Sequence, residues 1–219
     1  MDRIMTGTSG NGADGRAGGA RLRSNRQTAF QCAPVLLGVK PSNLLILEAQ
    51  YAATARQLLK GSGVEVRALF YRPGQKIILL VYRRSLVEGV LEPEENRAFL
   101  RAAGYQDKDL SQILGRLQKR YRQYMERKEG FPHELGLLLG YPLEDVKGFI
   151  QYKGEGFLCS GYWKVYGNVK KAQQTFRLYD TVRKGLADLT EKGMDVLEAV
   201  ECWERRWAIE GHHIVRAAG

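Results

Sequence analysis

The chain has 219 residues, of which 44% are hydrophobic and 26% are charged, and its formal net charge at pH 7 is +10. This composition is sufficient for one sizeable hydrophobic core and excludes a fibrous or wholly disordered protein. The excess of basic residues favours an anionic partner, although net charge governs association and solubility rather than fold.

The number of cysteines and the length of the apolar runs indicate in which cellular compartment the protein is expected. Cys32, Cys159 and Cys202 are an odd number of cysteines at irregular spacing, which is neither a disulfide framework nor a zinc pattern. No apolar run approaches the length of a bilayer-spanning helix, and the N-terminus lacks the apolar segment of a secretion signal. We therefore expect a cytoplasmic protein without a metal site and without a membrane partner.

Residues 1–28 are predicted to be a disordered, basic, glycine-rich tail. Gly, Ala, Ser, Asn and Arg dominate residues 6–24 without hydrophobic periodicity. Burial of such side chains cannot offset the entropy of ordering the backbone. The folded domain is therefore expected to begin near residue 29.

Two helical segments are predicted next. Pro34 is typical of the first turn of a helix and Gly38 of its end, which places Cys32 just before a helix N-terminus. An amphipathic stretch follows over residues 48–60.

The clearest secondary-structure signal is a β-hairpin over residues 64–82. Apolar and polar residues alternate over residues 64–70, a turn with Pro73 and Gly74 follows, and residues 77–82 are continuously apolar. We expect the alternating strand to be half exposed and the apolar strand to lie in the centre of a sheet.

The rest of the pattern is mainly helical. Helices are predicted over residues 93–103, 108–128, 169–189 and 194–207, two short ones begin at Pro132 and Pro142, and a strand is predicted over residues 157–166. Since strands and helices do not alternate regularly, we predict an α+β fold with a small, mainly antiparallel sheet, formed by the hairpin and the strand 157–166. A single domain is placed at residues 29–200, followed by a C-terminal helical extension over residues 201–219.

Several short motifs follow one another between about Cys32 and Val200. They are Cys32-Ala33-Pro34, residues 39–44, residues 81–86, residues 131–150 (FPHELGLLLGYPLEDVKGFI) and Gly161-Tyr162-Trp163-Lys164-Val165-Tyr166-Gly167. Together, and in this order, they are similar to the domain-of-unknown-function family DUF3793. The resemblance implies a bacterial protein and implies no activity.

His133 is the histidine in the body of the chain, and it lies in the first turn of a predicted helix. The positive end of the helix dipole favours neutral imidazole, which can act as a base, a ligand or a hydrogen-bond partner. A zinc peptidase is excluded, because Leu137 stands where that motif has its second histidine. A packed or capping histidine is the alternative.

A cysteine-dependent enzyme of the hydrolase or transferase type is one functional hypothesis. A helix N-terminus would lower the pKa of the Cys32 thiol, His133 can serve as its base, and Glu134 or Asp145 can orient the histidine. A buried and unreactive Cys32 is the alternative.

A binding or accessory protein is the hypothesis we favour over an enzyme. Tyr162, Lys164 and Tyr166 share one face of the strand 157–166, and two tyrosines flanking a lysine suit a flat anionic ligand by stacking plus charge. Core packing of these aromatic residues is the alternative. The expected ligand is a small anionic molecule or a cofactor. The candidate ligand-binding residues are Lys40, His133, Tyr141, Lys147, Tyr162, Trp163, Lys164 and Tyr166.

Nucleic-acid binding is a third hypothesis, and it depends on charge alone. The predicted helix 108–128 contains the basic residues Arg116, Lys119, Arg120, Arg122, Arg127 and Lys128. They would bind phosphates electrostatically, but the helix has no interleaved exposed aromatic residues and no recognisable DNA-binding pattern.

Overall fold

A computed structural model describes residues 11–106 and 109–209, with side chains from residue 18 onward. The elements in chain order are α1 (Asn11–Leu36), β1 (Ser42–Glu48), a short 3-10 helix (Ala49–Tyr51), α2 (Ala52–Leu58), β2 (Glu65–Tyr71), β3 (Lys76–Tyr82), α3 (Arg84–Leu91), α4 (Glu94–Ala102), α5 (Leu110–Met125), α6 (Glu134–Leu138), α7 (Leu143–Gln151), β4 (Cys159–Ser160), β5 (Lys164–Val165), α8 (Val169–Glu191) and α9 (Val196–Ile209). The predicted α+β class is confirmed. Within the described ranges, no helix combines the length and apolarity that crossing a bilayer requires.

The main sheet is antiparallel and has the strand order β1-β3-β2. The predicted hairpin is therefore confirmed as β2 and β3, and its apolar strand is central. Leu79 of β3 lies between Leu45 of β1 and Ala68 of β2. Every residue of β3 after Lys76 is buried, as expected for a strand that is covered on both faces.

The alternation of β3 divides its side chains between two cores. Ile77, Leu79 and Val81 face a core shared with α1, α8 and α9. Ile78, Leu80 and Tyr82 face a second core shared with α3, α5 and α6. The sheet therefore lies between two layers of helices, in which α1 packs against β1 and β3 and α5 packs against β2.

Glutamine side chains cover both edges of this sheet. The Gln31 side chain of α1 accepts from the Ile46 backbone N–H at 2.9 Å and donates to the Ile46 carbonyl at 3.2 Å. Gln118 of α5 donates to the Ala68 carbonyl of β2 at 2.6 Å. Backbone groups that would otherwise attract another strand are thus paired within the molecule.

The N-terminal part differs from the predicted tail. Residues 18–28 belong to α1, where Ser24 and Thr28 are fully buried, and Asn25 bridges the Met194 carbonyl and the Val196 N–H at 2.8 Å each. Small residues lose little side-chain entropy on burial and let helices approach closely, so low hydrophobicity did not prevent packing here. Residues 1–10 of the predicted tail lie outside the described residues.

Pro34 lies in the last turn of α1 rather than in the first turn of a separate helix. Because proline has no N–H, the Phe30 carbonyl one turn earlier loses its helical donor. Arg183 of α8 replaces that donor, since its Nε lies 3.1 Å from the Phe30 oxygen and its guanidinium lies 4.0 Å from the Phe30 ring centre. The proline is therefore accommodated by a cross-helix hydrogen bond, and Cys32 is inside α1.

The predicted strand 157–166 is not one strand and does not join the main sheet. β4 and β5 pair with each other, with Cys159 opposite Val165. Gly161 allows the turn between them, because a Cβ there would lie 2.4 Å from the Phe176 ring. The third strand of the main sheet is β1, whose short apolar run cannot be assigned from periodicity alone. α3 was likewise not predicted.

The C-terminal helix packs against the body as far as it is described. Trp203 of α9 lies so close to Gly185 of α8 that a Cβ at that glycine would be 2.0 Å from the indole ring. The predicted extension after residue 200 is therefore anchored to α8 by Trp203. Residues 210–219 lie outside the described residues.

Candidate functional site

A cavity of about 320 Å³ lies between α6, α7 and the β4–β5 hairpin. Its lining is mainly aliphatic and aromatic. The lining residues are Leu44, Phe131, His133, Leu135, Gly136, Leu139, Tyr141, Asp145, Val146, Phe149, Trp163 and Lys164. An apolar cavity with a few convergent polar groups is typical of a small-molecule site.

Helices α6 and α7 form one wall of the cavity, and proline and glycine residues mark their ends as predicted. Pro132 and Pro142 lie just before α6 and α7, and Gly140 ends the turn between them with φ +80°. A Cβ at Gly140 would lie 2.6 Å from the Pro41 ring. The glycine is thus required both by its backbone conformation and by the close approach of the segment before β1.

Asp145 of α7 holds the hairpin in place. One carboxylate oxygen accepts from the backbone N–H groups of Tyr166 and Gly167 at 2.7 and 2.9 Å, and the other accepts from Trp163 Nε1 at 2.7 Å. The side chain is buried, and both of its oxygens are committed. Asp145 therefore positions the cavity wall, and it does not orient His133 as the enzyme hypothesis required.

Glu134 belongs to the core and does not line the cavity. Its carboxylate accepts from the Tyr105 hydroxyl at 2.7 Å and from Arg120 at 2.6 Å, and it is buried. Burial raises the pKa of Tyr105, and the hydrogen bond to Glu134 raises it further. The buried Glu134 carboxylate is therefore paired with the partly exposed Arg120 and is not available to His133.

His133 lies in the cavity wall between two phenylalanine rings. Its ring centre is 5.4 Å from that of Phe131 and 5.6 Å from that of Phe149. Burial lowers the pKa of His133, the nearby Arg120 charge lowers it further, and Glu134 opposes both effects. The neutral imidazole expected from the sequence is therefore favoured, although the leading cause is burial rather than a helix dipole.

Lys164 of β5 supplies a cation at the same wall. Its Nζ donates to the Gly154 carbonyl at 2.5 Å and lies 4.7 and 6.0 Å from the ring centres of Phe157 and Phe149. No carboxylate of the described ranges lies within ion-pair distance of it. Ring faces and a carbonyl stabilise the ammonium without neutralising its charge.

Two further predicted residues form an aromatic wall. Tyr141 and Trp163 stack with ring centres 5.0 Å apart and an interplanar angle of 28°. Trp163 also meets the edge of Phe176 at 4.5 Å. Both rings line the cavity, and Phe176 of α8 supports Trp163.

Four of the predicted ligand-binding residues lie outside the cavity lining, and three of them are Tyr162, Tyr166 and Lys147. Tyr162 donates to Asp180 at 2.8 Å and accepts from Arg183 at 2.9 Å, which ties the hairpin to α8. Tyr166 stacks on Tyr152, and Lys147 is exposed on α7. Tyr162 lies in the turn between β4 and β5, so it does not share one strand face with Lys164 and Tyr166 as predicted.

Lys40 is buried behind the aromatic wall and does not line the cavity. Its Nζ donates to Asn43 Oδ1 at 2.6 Å and lies 5.6 Å from the ring centres of both Tyr141 and Tyr179. The pKa of Lys40 is lowered to about 8, chiefly by burial and in part by the charge of Arg183, whereas Cys32 opposes both effects. Lys40 thus supports Tyr141 rather than facing a ligand directly.

Cys32 does not have the environment that the enzyme hypothesis required. It lies inside α1 with no exposed surface, and burial raises the pKa of its thiol to about 12, although the Lys40 charge partly opposes this. The predicted lowering of this pKa is wrong, because the helix continues through Cys32 instead of beginning after it. Cys32 does not line the cavity that contains His133.

The basic residues around α5 are partly committed to the fold. Arg120 pairs with buried Glu134, the Arg116 guanidinium lies 5.4 Å from the Tyr105 ring centre, and Lys128 pairs with Glu126 at 2.7 Å. The surface that nucleic-acid binding would need is therefore smaller than the sequence indicates.

Sequence reasoning did not single out the phenylalanines of the site. Phe131 and Phe149 line the cavity, and Phe157 packs on Lys164. The motif segment 131–150 could have indicated two of them, since Phe131 is its first residue and Phe149 is its last but one. In the described part of the chain, no group of three or more His, Cys, Asp or Glu side chains could hold a metal ion.

Comparison with known proteins agrees with the resemblance found in the sequence. The family described as protein of unknown function DUF3793 matches residues 28–200, which is well over half of the chain. The chain matches no curated protein and no solved structure.

Proposed function

Since the chain belongs to the DUF3793 family, which has no assigned function, we propose from the site itself that the protein binds a small anionic molecule with a flat, largely apolar body. The observation that carries the proposal is the cation of Lys164 in the wall of a mainly apolar and aromatic cavity. The other polar lining residues are His133 and Asp145, and both carboxylate oxygens of Asp145 already accept hydrogen bonds from the hairpin. The ligand body would occupy the cavity, and its charged group would reach Lys164.

The surroundings of Lys164 favour an anion over a neutral ligand. Burial of apolar ligand surface contributes roughly 25 cal/mol per Å² and carries no charge preference. An ion pair at a partly buried wall is screened less than one in open solvent. The neutral imidazole of His133 can add one hydrogen bond without contributing charge. The stacked pair of Tyr141 and Trp163 favours a flat ligand body.

The other candidate catalytic residues support a binding role better than they support catalysis. Asp145 has both oxygens committed to the hairpin, Glu134 is paired in the core, and Cys32 is buried in α1. His133 would therefore have no orienting carboxylate and no nucleophile beside it among the described lining residues.

A pair of fluorescent probes tests the charge preference. Anilinonaphthalene sulfonate carries a flat apolar body and one anionic group, and phenylnaphthylamine has the same body without the charge. We expect saturable binding of the anionic probe to be weakened about tenfold by Lys164→Met, which corresponds to about 1.4 kcal/mol. Lys170→Met removes an exposed lysine on α8 and is the matched control. Binding of the neutral probe should be the same in all three proteins.

Two results would contradict the proposal. One is unchanged affinity of Lys164→Met for the anionic probe, and the other is equal loss of affinity in the Lys170→Met control. Val146→Phe adds a ring inside the cavity and should abolish binding of both probes while the circular dichroism spectrum stays native. Native mass spectrometry of protein purified without oxygen would then identify any anion that co-purifies.

A further inference from the structure

The charges in the cavity wall limit how negative its ligand can be. Among the described lining residues, Lys164 is the one lysine or arginine and Asp145 is the one acidic residue. The two side chains do not pair with each other, because Asp145 accepts from the hairpin and Lys164 donates to the Gly154 carbonyl. A single negative charge on the ligand can therefore pair with Lys164, whereas a second one would have no partner in the lining and would add to the charge of Asp145.

Two basic residues lie behind the wall, and both are committed to partners in the protein. Lys40 is buried and donates to Asn43 Oδ1 at 2.6 Å, and Arg120 pairs with Glu134 at 2.6 Å. Neither Lys40 nor Arg120 lines the cavity. A phosphate monoester carries a charge of about −1.5 to −2 at pH 7. Such a ligand would keep uncompensated charge in mainly apolar surroundings, which is costly.

The volume and polarity of the cavity limit the body of the ligand. Small-molecule sites range from roughly 300 to 1,000 Å³, and this cavity of about 320 Å³ lies at the small end. The Trp163 N–H and both oxygens of Asp145 are already hydrogen-bonded. Few lining groups are left for the several hydroxyls of a sugar, which would lose their hydrogen bonds to water on burial. A body of one or two aromatic rings fits this lining better than a nucleoside does.

We infer that the ligand is a monoanionic aromatic acid of one or two rings, with a carboxylate as its acidic group, and not a phosphorylated molecule. The inference rests on the proposed function and narrows it to one chemical class. A carboxylate carries a single charge, and its two oxygens can accept the N–H groups that Lys164 does not give to Gly154. It can also lie in the plane of an aromatic ring, so the whole molecule is flat, as the stacked rings of Tyr141 and Trp163 favour.

Competitors that share one naphthalene body test the inference by displacing anilinonaphthalene sulfonate from the full chain. They are 2-naphthoate, 2-naphthyl phosphate and the neutral 2-naphthalenemethanol. The measurement is made at pH 7.5, where a phosphate monoester with a second pKa of about 6 is mainly a dianion. We expect the dissociation constant of 2-naphthoate to be at least about tenfold lower than those of the other two.

A second cation in the lining should weaken this preference. His133→Lys replaces a half-buried neutral imidazole of the cavity wall by an ammonium group, and it should lower the dissociation constant of 2-naphthyl phosphate about tenfold and that of 2-naphthoate less. Phe149→Lys adds the same charge at a more exposed lining residue and gives a second test. Ile150→Lys places the charge on α7 outside the lining and is the matched control.

Two results would overturn the inference and leave the proposed function intact. One is that a protein whose probe binding depends on Lys164 binds 2-naphthyl phosphate as tightly as 2-naphthoate or more tightly. The other is that neither His133→Lys nor Phe149→Lys changes phosphate affinity more than Ile150→Lys does. Failure of the proposed function has a different signature, because the affinity for anilinonaphthalene sulfonate would then be unchanged in Lys164→Met, and the inference would fall with it.

Discussion

Trp163 donates a 2.7 Å hydrogen bond from Nε1 to the buried carboxylate of Asp145, so one anion on α7 fixes the indole ring that walls the cavity. The same carboxylate also accepts from the backbone of Tyr166 and Gly167. Strands as short as β4 and β5 are not stable alone. The shape of the cavity therefore depends on how α7 holds the hairpin.

Asp145→Asn should destabilise the fold and weaken ligand binding. An amide offers one accepting oxygen and turns an N–H₂ group toward donors, so at least one of the three hydrogen bonds is lost. We expect the free energy of unfolding to fall by ~1–3 kcal/mol in urea denaturation, with weaker binding of the anionic probe. Asp180→Asn is the control, because this exposed residue can still accept from Tyr162 through its amide oxygen. Equal effects of the two substitutions would argue against the role of Asp145.

Lys40→Met should change how stability depends on pH. The ordinary pKa of 10.5 for lysine applies to the unfolded chain, whereas burial lowers the pKa of Lys40 in the folded protein to about 8. Between these values the unfolded chain binds more protons, so the contribution of Lys40 to stability becomes more favourable as pH rises. From pH 7 to pH 9 the original protein should gain ~1 kcal/mol relative to Lys40→Met.

Urea denaturation at the two pH values measures this difference, and Lys60→Met, at an exposed residue, is the control and should follow the original protein. Cys32 titrates in the opposite sense above pH 9, because its pKa is raised from 9.0 to about 12, but the thiol is present in all three proteins. Parallel pH profiles for the original protein and Lys40→Met would refute the prediction.

Cys32 should be the slowest of the three cysteines to react with iodoacetamide at neutral pH. Its thiol is buried and its pKa is raised, whereas Cys159 and Cys202 are partly exposed. Peptide mass spectrometry should detect labelling of Cys159 and Cys202 in the native protein, and labelling of Cys32 at a comparable rate only in urea. If Cys32 reacted fastest under native conditions, the enzyme hypothesis would be restored.

Asn25→Ala should cost stability although Asn25 lies within the segment predicted to be a tail. Its side chain pairs with the Met194 carbonyl and the Val196 N–H, so truncation leaves both backbone groups unpaired in a buried turn. We expect a loss of ~1–3 kcal/mol in the free energy of unfolding. Arg26→Ala changes the neighbouring exposed residue and should be nearly neutral. Equal free energies of unfolding for the two variants would contradict a stabilising role of residues 18–28.

Part of the site could be predicted from the sequence because its residues are close together along the chain. His133 and Tyr141 belong to one motif segment, Trp163 and Lys164 are adjacent, and all four line the cavity. Tyr162 was misplaced because the sequence pattern did not reveal the turn at Gly161, whereas Tyr166 stacks on Tyr152 outside the cavity lining. The role of Glu134 depends on Tyr105 and Arg120, and the role of Asp145 depends on the β4–β5 hairpin. These partners are distant in sequence, so no local pattern predicts the pairing.

The sequence by itself determined the elements whose signal is local. Helical periodicity specified α5 and α8, proline and glycine specified the ends of α6 and α7, and alternation followed by an apolar run specified β2 and β3. The tertiary structure alone decided three other matters. It ordered α1 by packing small residues, chose β1 as the third strand by pairing with β3, and buried Cys32 and Lys40. Burial and pairing are properties of contacts between distant segments, and so are the pKa shifts that follow from them.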